Sequence, residues 1–246
     1  MKKNDKTSRI AKTAFLIAAL CGLAAVAAGL GTRYAIWNFR IGLDILKWSA
    51  YGGVAAAVLS LIGLLATVRL VFKRGFLLAL LGLAIAGALV FVAWHWMQLA
   101  KSLPPIHDIT TDTENPPKFV AILPLRKNAS NPPDYGGAAI AAQQHKAYPD
   151  IKPLILGVPP GEAFDKAIAV ARKMGWNIVD ANKAAGRIEA IATTLWFGFK
   201  DDIVIRVEQS GAGSRVDIRS VSRVGVSDIG TNAKRIRKFL AEMRQT

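Results

Sequence analysis

The sequence predicts an all-α membrane anchor of three transmembrane helices followed by an α+β domain, in which an antiparallel sheet carries helices on one face. Three observations predict it. First, three long stretches, Thr13–Thr32, Trp48–Val68 and Gly75–Ala100, contain no Asp, Glu, Lys or Arg, and about 20 apolar residues suffice to cross the hydrocarbon core of a bilayer. Second, all 11 prolines lie beyond residue 100, which marks a change of architecture at that point. Third, the remainder carries runs that alternate apolar and polar residues between glycines, bracketed by segments of helical period.

The anchor is assigned to residues 1–100, with spans over about 13–32, 48–68 and 75–99. It carries a net charge of +9, and residues 101–246 carry +6, of the +15 for the whole chain. Most of the basic excess therefore flanks apolar helices, where it meets lipid headgroups and sets orientation, so the high pI is no argument for nucleic acid. Eight cations (Lys2, Lys3, Lys6, Arg9 and Lys12 in the tail; Arg69, Lys73 and Arg74 between spans two and three) face three (Arg33, Arg40, Lys47) in the other loop. The positive-inside rule then places the N-terminus in the cytoplasm and the C-terminal domain across the membrane, which in a Gram-negative bacterium is the periplasm. Trp37, Trp48, Trp94 and Trp96 suit the two interfaces. Cys21, the one cysteine, lies within the first span, so no intrachain disulfide forms. Leu20 before it is unlike a lipoprotein cleavage site, and the first span is expected to remain as an uncleaved anchor. No Asp, Glu, Lys or Arg interrupts the spans, which argues against a channel or pump. Small residues four apart (Ala25 and Gly29, Gly53 and Ala57, Gly82 and Ala86) let helix backbones approach closely.

Residues 101–135 read as a proline-rich linker, either a spacer or a strip along the domain surface, because Pro104-Pro105, Pro116-Pro117 and Pro132-Pro133 favour extended backbone. Phe119–Leu123 is a short strand or docking segment. His107 beside Asp108 lacks a second ligand at metal-site spacing. The soluble domain is assigned to 136–246. Gly137–Ala147 is a short helix carrying His145, and Pro153–Val158 a strand. An amphipathic helix runs from Pro159-Pro160-Gly161 to Met174 and stops at Gly175. Four strands follow over Trp176–Ala181, Gly186–Phe197, Asp202–Glu208 and Ser214–Arg223. Ile188, Ala190, Ala192, Ile203, Ile205, Val207, Val216 and Ile218 point to one face. A final helix starts near Ser227 or Asp228 and buries Ile229, Ala233, Ile236, Leu240 and Met243. Its Lys234, Arg235, Arg237 and Lys238 are expected on a solvated face. The order strand, helix, four strands, helix resembles that of the TATA-binding-protein-like fold in topology only. Glu189, Arg206, Glu208, Arg215, Asp217, Arg219 and Arg223 are expected on an open polar face of the sheet.

Two runs, Thr193–Asp202 and Arg219–Gly230, converge on one end of this sheet. They gather Trp196, Lys200, Asp201, Asp202, Arg219, Ser220, Ser222, Arg223, Ser227 and Asp228 as ligand-binding candidates, beside the free N–H groups of a helix N-terminus, an arrangement suited to an anion. The competing reading is a salt-bridged connection with a capped helix. Leu195, Trp196, Phe197 and Phe199 complete the core, dip into the membrane or grip a partner. Adjacent carboxylates on a strand point to opposite faces, so Asp201 and Asp202 are poorly placed as an acid/base pair. No serine sits in a nucleophile elbow. No catalytic residue, metal ligand or cofactor is assigned.

These runs also carry a resemblance. Thr193–Asp202, Ser214–Gly230, Asn232–Arg237, Tyr148–Leu154 and Pro104–Asp112 resemble domain-of-unknown-function family 1499, over roughly residues 104–244. The resemblance implies a bacterial envelope protein, often with an N-terminal membrane anchor, and brings no activity or catalytic residues. The expected function is a noncatalytic inner-membrane protein whose periplasmic domain binds an envelope protein partner or a small amphipathic or anionic ligand, lipid included. The alternatives are an envelope hydrolase or lipid-modifying enzyme using Asp201, Asp202, Ser220 or Ser222, and a scaffold subunit of a membrane complex.

Overall fold

The computed structural model describes residues 2–67 and 75–245. The basic loop expected at Arg69, Lys73 and Arg74 lies outside the described residues. The chain forms two compact units, Met1–Gln98 with Leu195–Gly198, and Leu99–Thr194 with Phe199–Thr246.

The first unit contains helices α1 (Lys2–Arg33), α2 (Phe39–Thr67) and α3 (Phe76–Ser102). Each is long and apolar enough to cross a membrane, over Arg9–Arg33, Phe39–Ala66 and Phe76–Ser102. All three extend past their charge-free stretches, because the i→i−4 ladder does not stop at the first charge. α2 starts where Asn38 Oδ1 accepts the N–H groups of Arg40 and Ile41 at 3.0 and 3.1 Å, a side-chain cap of the usual kind. Small residues face inward: Ala18, Ala56 and Ala86 form a buried cluster. A Cβ at Gly82 would stand 2.7 Å from Ser60 Oγ and 3.1 Å from the Phe15 backbone. The small residues are thus used for packing within the chain. Large apolar side chains, Leu16, Leu20, Leu23, Val58, Leu65 and Leu77 among them, point outward, as lipid-facing positions do. Trp48, Trp94 and Trp96 are exposed, whereas Trp37 folds back and donates its indole N–H to Ala28 O at 3.2 Å.

The second unit is built on a six-stranded sheet: β1 (Asp108–Thr110), β2 (Leu154–Leu156), β3 (Asn177–Asn182), β4 (Arg187–Thr193), β5 (Lys200–Ser210) and β6 (Gly213–Ser222). The spatial order is β1-β6-β5-β4-β3, and β2 also pairs with β6. All pairings are antiparallel. β1 and β2 lie end to end along one edge of β6, opposite Arg219–Val221 and Ser214–Val216 respectively. Helices α4 (Gly137–Ala147), α5 (Pro160–Lys173) and α6 (Thr231–Gln245) complete the fold. The antiparallel sheet with helices on one face is the architecture the alternation pattern predicts.

The main core is where that pattern puts it. Ile188, Ala190, Ile203, Ile205, Val216 and Ile218 meet Phe164, Ala167 and Ala171 of α5 and Ile236, Phe239 and Met243 of α6. Burying one such large side chain contributes about 1.5–3 kcal/mol. Trp176 stacks on Phe239 at 5.5 Å. Gly175 takes φ +74° and ends α5, with its N–H on Arg172 O and that of Trp176 on Ala171 O. Gly186 also requires its residue type: a Cβ there would lie 2.1 Å from Val207 O. Ile229 departs from expectation. It precedes α6, takes φ +49° and is only half-buried, because the buried stripe begins at Ala233, inside the helix.

Of the two readings of residues 101–135, a spacer or a strip along the domain surface, the contacts fit the strip. Their prolines prevent helix, but the apolar residues between them have somewhere to go. Ile106 and Ile109 enter the main core. Phe119 and Ile122 join Val204 and Val221 in a second cluster, on the sheet face opposite the helices. The segment therefore straps that face, which is covered and not open. Glu189, fully buried, accepts the N–H groups of Val120, Ala121 and Ile122 at 2.9–3.1 Å, just before the 3-10 turn Leu123–Arg126. Gln144 of α4 closes the outer edge of β1, with Oε1 accepting the Thr110 N–H at 3.0 Å and Nε2 donating to Thr110 O at 2.7 Å. The amide thus stands in for a neighbouring strand.

Farther along the strap, Asp112 and Asp217 share two arginines. Arg206 Nη2 reaches both carboxylates at 2.9 Å, and Arg215 reaches both at 2.8 Å. Burial pushes the Asp112 carboxyl up, but the Asn115 N–H and the guanidinium groups of Arg206 and Arg215 outweigh it and hold the group below its ordinary 3.8. A lowered folded-state pKa is stability that is present above the ordinary value and lost as pH falls through the lowered one. Asp112→Asn is therefore expected to destabilise the protein at pH 7 and to flatten its loss of stability below about pH 4, measured by thermal melts of the full chain between pH 2 and 7.

Candidate functional site

Alternation along β5 and β6 divides the six sequence-derived candidates that lie on these strands between the two faces of the sheet. On the helix face, Asp201 lies opposite Ser222, and Ile203 opposite Ser220. Arg235 reaches inward from α6: Nη2 meets Asp201 Oδ2 at 2.5 Å, and Nη1 meets Ser220 Oγ at 3.0 Å and Asn232 Oδ1. Ser220 Oγ donates to Asn232 Oδ1 at 2.7 Å, and Asn232 Nδ2 donates to Ser222 Oγ and His107 O at 3.0 Å. Arg235 is thus not on the solvated face expected for it; an arginine one turn into a helix has the reach to span to the facing strand. Both serines are bonded to Asn232, and the carboxylate on this face, that of Asp201, is bound to Arg235.

Ser227 and Asp228 shape the entry to α6. Asp228 accepts the N–H groups of Gly230 and Asn232 at 2.9 and 2.6 Å, and Ser227 Oγ accepts that of Ile229 at 3.1 Å. The helix N-terminus is thus already supplied with a carboxylate. Burial raises the Asp228 pKa above its ordinary value, and those N–H groups oppose the rise.

On the strap face, Asp202 is fully buried and takes three contacts from Arg223 at 2.7–3.0 Å and one from Arg126 Nη1. Arg126 is pulled below its ordinary pKa by burial, against the opposing charge of Asp202. Arg223 Nη1 also donates to Leu125 O at 2.9 Å. Arg219, 2 % exposed, grips Asp108 with two bonds, Nε to Oδ1 at 2.9 Å and Nη2 to Oδ2 at 2.7 Å. It also donates to Pro117 O and Pro133 O at 3.3 and 2.8 Å. Its guanidinium packs between the rings of Phe119 and Tyr135, 5.2 and 5.6 Å from the centroids. Burial, aided by the charge of Asp108, pushes the Tyr135 hydroxyl up to about 12. Sequence reasoning missed Arg126, Asn232, Arg235 and Glu189 as members of these networks. The signal for the last was legible: a carboxylate between isoleucine and alanine in a strand whose two faces both turn out to be covered.

Lys200 is exposed, and its carbonyl accepts the Arg223 N–H at 3.0 Å. Trp196 belongs to the helical unit, where its indole N–H donates to Val26 O at 3.2 Å and the ring covers Gly29. The ten residues therefore form no single site. Most are internal ion pairs and caps. Among the described residues no group of three or more His, Cys, Asp or Glu is placed to hold a metal ion.

The domain has a different concavity. A cleft of about 290 Å³ opens beside the C-terminus of α5 and the exposed flank of α6. Met174, Trp176 and Ala192 form its apolar floor, and Thr193, Thr231, Lys234 and Lys238 stand at its rim beside Arg235, which is paired with Asp201. Lys234 and Lys238 are exposed and one helical turn apart, so their ammonium groups address the same space.

The profile of a family described as a protein of unknown function (DUF1499) matches residues 108–243. The chain belongs to this family. The matched region begins at the first residue of β1 and ends in α6, so the family domain includes the strap as well as the sheet and helices. No curated protein matches the chain.

The saturated networks predict structural roles. Arg223→Ala, which leaves the buried Asp202 with Arg126 alone, is expected to cost about 3 kcal/mol. Asp228→Ala is expected to cost about 1 kcal/mol through the lost cap. Chemical denaturation of the full chain in detergent checks both.

Proposed function

We propose that this protein is a noncatalytic, membrane-anchored binding protein whose extracytoplasmic domain holds a small amphipathic anion near the bilayer surface. The observation that carries this reading is the contrast between two sets of cations. The arginines of the sheet are consumed by internal carboxylates, whereas Lys234 and Lys238 stand exposed over a cleft with an aromatic floor. Lysines at a rim and an apolar floor are complementary to a charged head and a short apolar body. The volume of about 290 Å³ is just below the range of ligand pockets, about 300–1,000 Å³, and suits a headgroup-sized molecule rather than a whole lipid. The hydrolase alternative has less support, because Ser220 and Ser222 are bonded to Asn232 and the neighbouring Asp201 carboxylate is held by Arg235.

A short connector supports a location near the bilayer. Residues 103–107 join the end of α3 to the start of β1, and at ~3.3–3.6 Å per residue they reach less than ~20 Å. The extracytoplasmic domain rests on the distribution of Lys and Arg between the loops, and a bacterial inner membrane on what the family resemblance implies.

Hexyl phosphate is the probe for the cleft. Calorimetric titration of the detergent-solubilised full chain is expected to show binding, weakened about tenfold in Lys234→Glu/Lys238→Glu, in line with two exposed charge contacts and their reversal. Equal binding by the variant overturns this reading. Orientation is checked separately: alkaline phosphatase fused at Thr246 is expected to be active in intact cells, and an inactive fusion that is nevertheless made in full length reverses the assigned topology.

A further inference from the structure

The strap across the sheet has two faces, and neither lines the cleft beside α6. Its inward residues, Phe119, Ile122 and Arg126, are buried. Its outward residues include Val120, Leu123 and Leu125, which are 52, 44 and 51 % exposed. Three large apolar side chains within six residues, open to water, are unusual for a soluble surface. Lys118 and Lys127, both exposed, flank them.

The position of this patch in the domain indicates what covers it. Leu125 is tied through its carbonyl to Arg223. The neighbouring Ser222 donates its N–H to His107 O at 3.0 Å, and His107 belongs to the short connector that follows α3. Asn131, at the far end of the strap, donates to Gly225 O at 2.9 Å. The next residue, Val226, is 75 % exposed, and its carbonyl meets His107 Nδ1 at 3.3 Å. Leu125 and Val226 are therefore both within a few bonded residues of the point where the chain enters the domain from a membrane-spanning helix. The opposite end of the sheet, with the Gly211 hairpin and β2, carries Ile155 instead, 60 % exposed. Ile155 pairs with Arg215, and Asp108 with Val221, a separation of ~20 Å along β6 at ~3.4 Å per residue.

We propose that Val120, Leu123, Leu125 and Val226 form a membrane-contact surface that inserts shallowly into the interface of an anionic bilayer, with Lys118 and Lys127 against lipid headgroups. Apolar side chains flanked by lysines are the composition of an interfacial anchor, and each lysine near an anionic surface adds attraction. The contact fixes the orientation of the sheet on the membrane, which a connector of a few residues cannot do by itself.

The test uses the full chain in vesicles. Cys21→Ala removes the native thiol, and Leu125→Cys, Val226→Cys or Ile155→Cys then places an environment-sensitive fluorophore at one position. Folding of each variant is checked by its melting transition in detergent. In vesicles of phosphatidylglycerol and phosphatidylcholine, doxyl-labelled lipids are expected to quench the label at residues 125 and 226 several-fold more strongly than at 155. Quenching at 125 and 226 no greater than at 155 overturns the proposal. So does a blue-shifted label at 125 and 226 in detergent-free nanodiscs too small to offer the domain a bilayer surface, which would assign the patch to a protein partner or a second copy.

Discussion

The domain depends on the burial of Arg219. A guanidinium in the middle of a six-stranded sheet is costly to remove from water, and it is tolerated only if every donor finds an acceptor. Here two donors go to Asp108 and two contacts to the carbonyls of Pro117 and Pro133, while Phe119 and Tyr135 cover its flat faces. All of these partners come from the segment 108–135. The arginine therefore needs the strap, and the strap, which contains little regular structure, needs the arginine to fix its path. Glu189 repeats the arrangement with opposite sign, as a strand carboxylate that gathers three strap N–H groups.

This constraint explains why the sheet can be covered on both faces with so few apolar residues on one of them. The helix side has a continuous hydrocarbon core. The strap side has only a small cluster around Phe119 and Ile122, and ion pairs occupy the remaining area. Pairs of this kind contribute little net stability relative to apolar replacements, but they are strongly directional. They hold the strap in one register on the sheet, which places Leu123 and Leu125 outward at one end of the domain.

The same accounting of donors and acceptors bears on function. Charged groups that neutralise one another inside a fold are unavailable to a ligand, however suggestive their sequence. The cluster Lys200 to Asp228 looks like an anion site because it concentrates cations, hydroxyls and a helix N-terminus. In the fold, Asp201, Asp202 and Asp228 already serve as the anions. Lys234 and Lys238 differ because they project from the outer flank of α6 over a cleft.

The amino-acid sequence by itself determined the three apolar helices, the antiparallel sheet, the residues of its helix-side core and the membership of an uncharacterised family. These follow from local quantities: hydropathy over about 20 residues, a period of two in Ile203, Ile205 and Val207, and a period of 3.6 in Ala233, Ile236 and Leu240. It also indicated that Asp201 and Asp202 face opposite ways, since that is a property of any strand. Only the tertiary structure decided that the proline-rich segment is a strap, that the second sheet face is buried, and that Arg235 and Arg223 are internal partners. Those outcomes depend on which distant groups meet, Asp108 with Arg219 or Asn131 with Gly225, and no periodicity records a contact between residues about a hundred positions apart.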